Sequence, residues 1–62
     1  MELLEPLVGR KVTVFSAQGD VEKQDVGMLE AAQGNWLRLK KSEETFFINI
    51  ARVRLVKPFE PL

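Results

Sequence analysis

Trp36, Arg38 and Lys40 stand two residues apart, a spacing that puts one aromatic ring and two cations on the same face of an extended strand. A ring that stacks on a base, beside cations that neutralise phosphate, is the chemistry of a single-stranded nucleic-acid platform. Asn49, Arg52 and Arg54, together with Lys41, extend the candidate surface if the chain folds them toward it. The plainer alternative is a Trp that covers the end of a barrel, with the neighbouring cations paired to Glu43 and Glu44. Asp20, Glu22 and Asp25 offer alternating carboxylates, but a calcium loop also needs a turning Gly and a bidentate Glu at fixed spacing. Neither is present, so these acids are expected to form a solvated hairpin tip and no metal site. Ser16 and Ser42 have no imidazole or thiol to activate them, and no Gly-rich phosphate loop accompanies them. No catalytic residue and no cofactor is expected, and the chain is read as a non-enzyme.

What must position these residues is a chain of 62 residues with no Cys and no His. A domain of this size buries only ~60% of its unfolded surface, so its core is marginal. Small scaffolds compensate with disulfides, a structural metal or oligomerisation. The missing thiols and imidazoles remove the first two, which leaves self-association. The chain is 45% apolar and 29% charged, ordinary for a globular protein. No apolar run approaches the ~20 residues of a membrane-spanning helix. Acids near the N-terminus argue against a secretory signal, so a cytoplasmic location is expected. Formal charge is zero, yet residues 1–35 hold three cations against six acids, and residues 36–62 hold six cations against three acids. That asymmetry suits an anionic partner or complementary faces between copies.

The pattern predicts one all-β domain over residues 1–62. Residues 1–7 form a short helical turn that Pro6 limits. Val12 and Val14 alternate with polar neighbours in a first strand, and Gln18-Gly19-Asp20 makes a turn. Val21 to Gln33 is a long second strand with Val26, Met28 and Leu29 as its apolar centre and Gly27 as a bend. Gln33-Gly34-Asn35 turns into a third strand, Trp36 to Lys40, and a polar loop leads to a fourth, Thr45 to Ile50. A 3₁₀ turn at Ala51-Arg52 precedes a fifth strand, Val53 to Lys57. Residues 58–62 are expected to be an extended tail. Five short strands with turn signals and no long helix predict a five-stranded SH3-like or Sm-like small barrel.

The order of these residues resembles the Sm-like superfamily, which includes Sm and LSm proteins and bacterial Hfq. Gly9, Val12, Val14, Gly19, Gly27-Met28-Leu29 and Leu37-Arg38-Leu39 follow its first motif, and Phe47 to Val56 follows its second, so the likeness spans residues 3–57. The resemblance implies a ring of roughly five to seven copies in which the fourth strand of one subunit pairs with the fifth strand of the next. It also implies single-stranded RNA as a candidate ligand. The chain departs from the pattern where RNA-binding members hold the base. Ala32-Gln33-Gly34-Asn35-Trp36 lacks the Asp, Asn49-Ile50 replaces the Arg-Gly pair, and there is no Lys-His pair. The loop Ala17 to Gln24 is also longer than usual. The resemblance therefore carries the fold and not the uridine site.

Phe46, Phe47, Ile48 and Ile50 make the fourth strand apolar on both faces, whereas a surface strand of a lone barrel should have one wet face. These residues, against Val53, Leu55 and Val56, are the expected oligomer interface. The functional expectation is a cyclic homo-oligomer that binds RNA or serves as a scaffold. The competing expectation is an SH3-like module that binds a peptide or protein and not RNA.

Overall fold

Alternation along the chain decides which face each strand turns inward. Val12, Val14, Leu29, Leu37 and Leu39 are fully buried, while their immediate neighbours Lys11, Met28, Arg38 and Lys40 are exposed. The structure, a computed structural model, describes residues 2–60. A 3₁₀ turn, Glu2–Leu7, precedes β1 (Lys11–Gln18), β2 (Val21–Gln33), β3 (Trp36–Lys41) and β4 (Glu44–Asn49). A second 3₁₀ turn, Ile50–Arg52, leads into β5 (Val53–Pro58). All strands are antiparallel to their neighbours in one sheet of order β4-β3-β2-β1-β5. The sheet curls into a small barrel that is open between β4 and β5. Among the described residues no helix is long and apolar enough to cross a membrane.

The long strand β2 makes the curl. Its first half pairs with β1, from Val21 opposite Gln18 to Met28 opposite Lys11, and its second half pairs with β3. Gly27 sits at the changeover, where a Cβ would stand 2.5 Å from the Lys40 carbonyl oxygen. Two bulges add bending. On β2, Glu30 is the extra residue between the Leu29–Leu39 and Ala31–Arg38 pairs. On β5, Arg54 is skipped between the Phe15–Leu55 and Ser16–Val53 pairs. Each bulged residue sends its charge into a surface ion pair, Glu30 to Arg38 at 3.1 Å and Arg54 to Glu22 at 3.2 Å.

Each of the three hairpins closes through two residues, of which only the first has positive φ: Gly19 (63°), Gly34 (56°) and Ser42 (52°). That is the signature of a type II′ turn, whose twist matches the flanking strands.

The core consists of Leu7, Val12, Val14, Leu29, Ala32, Leu37 and Leu39. The first 3₁₀ turn delivers Leu7 because Gly9 N–H donates to the Leu29 carbonyl at 2.7 Å and Leu29 N–H donates to that of Arg10 at 3.0 Å. No fully buried residue comes from β4 or β5. Ile48, Ile50, Val53 and Val56 pack partly buried against the core from those edges.

Two expectations are corrected. Val26 and Met28 are 37% and 43% exposed, on the outer face opposite Thr13 and Lys11, so Leu29 alone of that trio is core. The tail does not begin as a free arm at residue 58. Pro58 belongs to β5, Phe59 N–H donates to the Lys11 carbonyl at 3.1 Å, and the Lys11 ammonium lies 4.6 Å from the Phe59 ring. Pro61 and Leu62, the rest of the expected tail, and Met1, the start of the expected helical turn, lie outside the described residues.

Candidate assembly interface

β4 is held on one side only, by β3. The register Leu37–Ile48, Arg38–Phe47 and Leu39–Phe46 assigns the faces, because directly opposed residues share a face. Phe46 and Ile48 therefore point inward with the buried leucines, and Phe47 points outward with Arg38. Ile48 reaches the core. Phe46 remains 37% exposed, with the Lys41 ammonium 5.3 Å from its ring, and Phe47 is 63% exposed. Lys41 is held from the other side by Asp25, at 3.1 Å, across the mouth of the barrel. Beside β4 runs a cleft of about 350 Å³, with Phe46, Ile48 and Asn49 on one wall and Ser16, Ala17, Gln18, Lys23 and Asp25 on the other.

β5 is the opposite edge, held only by β1. Val14–Val56 and Val12–Pro58 turn Val56 and Pro58 inward, while Phe15–Leu55 and Thr13–Lys57 turn Leu55 and Lys57 outward. Leu55 is 45% exposed. Among the described residues neither Glu44 nor Lys57 has an ionic partner. Of the residues expected at an interface, Phe46, Phe47 and Leu55 are exposed, and Ile48, Ile50, Val53 and Val56 are half-buried against the core.

The expected nucleic-acid residues separate into a cluster and two outliers. Trp36, 50% exposed, stands between Gln33 and Asn49, and the next outward row is Ala31, Arg38 and Phe47. Trp36, Phe47, Arg38 and Gln33 surround a groove of about 240 Å³, with the small Ala31 also in its lining. Asn49 accepts from Ala51 N–H at 2.9 Å and so caps the second 3₁₀ turn, which places Arg52 beside the β4 cleft. Lys40 lies at the far end, between Met28 and Thr45, and Arg54 is drawn across β1 to Glu22. Arg38 takes Glu30 as its partner; the expectation that Glu43 and Glu44 pair with these cations is not met.

Sequence reading assigned Phe47 to assembly alone, yet it also forms half of the aromatic groove. The signal was available: a two-residue hairpin between Lys41 and Glu44 fixes Phe47 opposite Arg38, on the same face as Trp36. No family model, no curated protein and no solved structure matches this chain.

Proposed function

We propose that this protein is a self-assembling module in which β4 of one copy pairs with β5 of the next, giving a cyclic homo-oligomer that acts as a scaffold. The observation that carries the reading is that both sheet edges are unpaired among the described residues and apolar, while neither supplies a fully buried residue to its own core. Unpaired apolar edges are an aggregation hazard, and pairing them removes it. Because the two edges differ, the contact is head-to-tail, and such contacts close into rings or run on as filaments. A ring satisfies every edge with a finite number of copies. The Sm-like resemblance supports the same strand pair. The role is one of binding and assembly, with no reaction attached to it.

The test is multi-angle light scattering across a concentration series, with Phe47→Glu as the control. The reading requires a mass several times the 7.1 kDa subunit and its collapse toward one subunit in the variant. A wild-type monomer whose β4 edge instead captures an extended peptide would favour the protein-interaction module.

The groove between Trp36 and Phe47 favours a second role for the same ring, binding single-stranded nucleic acid. Two exposed rings beside a guanidinium suit a stacked base, and ring symmetry repeats a weak site around the assembly. Fluorescence anisotropy with oligo-U and oligo-A at two salt concentrations tests this role. It requires binding that weakens with salt and is lost in Trp36→Ala.

A further inference from the structure

The faces and side chains of the two edges restrict how they meet. We infer that β4 joins β5 of the neighbouring copy antiparallel, in one register: Thr45 opposite Lys57, Phe46 opposite Val56 and Phe47 opposite Leu55. This inference rests on the assembly reading above and adds its geometry.

Side-chain parity makes the first selection. Phe46 points inward on β4, as do Val56 and Pro58 on β5, while Thr45 and Phe47 point outward, as do Leu55 and Lys57. A junction that continues the sheet must match inner face to inner face, so that Phe46 and Val56 extend one apolar layer. A slip of one residue sets outward Phe47 against an inward residue and exposes what the fold half-buries.

Apolar matching makes the second selection. A slip of two residues keeps the faces, but it sets Phe47 against Lys57 in one direction and Phe46 against Arg54 in the other. Parallel pairing fails in the same way: setting Phe47 against Leu55 leaves Phe46 opposite Arg54, and setting Phe46 against Val56 leaves Phe47 opposite Lys57. The antiparallel register alone gives both rings an aliphatic partner, and antiparallel ladders are also somewhat the more stable per residue.

Two further features agree. Glu44 falls opposite Pro58 and diagonal to no cation, while Glu43, in the hairpin turn, follows Thr45 on the outward side and lies within a diagonal step of Lys57. Lys57 has no ionic partner within its own described subunit. The junction also ends naturally at the Arg54 bulge, where β5 leaves regular pairing.

The chain contains no cysteine, so single thiols report the register cleanly. Thr45 and Lys57 are both exposed, and light scattering first establishes that the wild type and each variant assemble. Directly opposed residues of an antiparallel pair hold their Cβ atoms within about 4.5–5.5 Å, near the reach of a disulfide, and diagonal neighbours do not. On mild oxidation, Thr45→Cys mixed with Lys57→Cys should give a disulfide-linked pair that neither variant forms alone. The double variant T45C/K57C should give a covalent ladder that stops at the ring size.

Cross-linking of Thr45→Cys to itself means that β4 meets β4 about a two-fold axis, and overturns the inference. Preferential linkage of Thr45→Cys to Val53→Cys means parallel strands, and overturns it as well. A charge exchange gives an independent readout: Thr45→Lys should weaken assembly at least several-fold by facing Lys57, and Lys57→Glu should restore it. Absence of both linkage and restoration in a protein that does assemble overturns the register and leaves the assembly reading standing. A monomeric wild type overturns the assembly reading itself.

Discussion

Gly27 and the carbonyl oxygen of Lys40 approach so closely that a Cβ on Gly27 would stand 2.5 Å from that oxygen. The obstacle is backbone, so no rotamer change relieves it. This crossing lets β2 serve two halves of the barrel, and it thereby sets the separation of the two free edges.

Gly27→Ala should therefore destabilise. The alanine reduces unfolded-state entropy, a gain of ~0.4–1 kcal/mol, but overpacking a tight crossing costs ~1–3 kcal/mol. The clash wins, and the urea midpoint should fall. A midpoint equal to or above that of the wild type would show that β3 yields freely at Lys40.

Ser42→Gly should stabilise. Ser42 holds φ 52° at the hairpin position that Gly19 and Gly34 occupy in the other two turns. Left-handed backbone costs a residue with a Cβ ~1–2 kcal/mol, against a glycine entropy penalty of ~0.5–1 kcal/mol. The net gain is several tenths of a kcal/mol, visible as a thermal midpoint raised by a few degrees.

Leu37→Ala should leave little folded subunit. A chain of 62 residues is expected to hold roughly 3–9 kcal/mol of stability, and emptying a fully buried leucine site costs ~2–5 kcal/mol. Circular dichroism should show a large loss of strand signal at low concentration. Recovery at high concentration is expected if assembly stabilises the fold by mass action.

Phe47→Glu should separate assembly from folding. Its side chain is 63% exposed, so the subunit loses little packing while a charge enters the β4 edge. Retained β-rich circular dichroism with a reduced mass is the expected pair of results. Loss of the β signal would make Phe47 a folding residue instead.

Strand positions were legible because valine and leucine alternation, two turn glycines and Pro58 punctuate the chain unambiguously. The structure matches each predicted strand to within about two residues. The face of Val26 and Met28 was not legible: they share one parity and Leu29 the other, and only the β1 partners decide which goes inside. The Glu30 and Arg54 bulges were equally hidden, since each is a mismatch between strands far apart in sequence. For that reason Arg38 was matched to acids in its own hairpin, whereas its partner stands on the strand at its other side. The two-faced apolarity of Phe46 and Phe47 was plain in the residues. That the edge beyond them is open depended on the sheet order.

The most direct measurement is the solution mass of the full chain by light scattering or native mass spectrometry at micromolar concentration. Pairing of β4 with β5 between copies predicts a discrete species at a whole-number multiple of 7.1 kDa, unchanged over a range of concentrations. A well-folded species at 7.1 kDa throughout that range would contradict it.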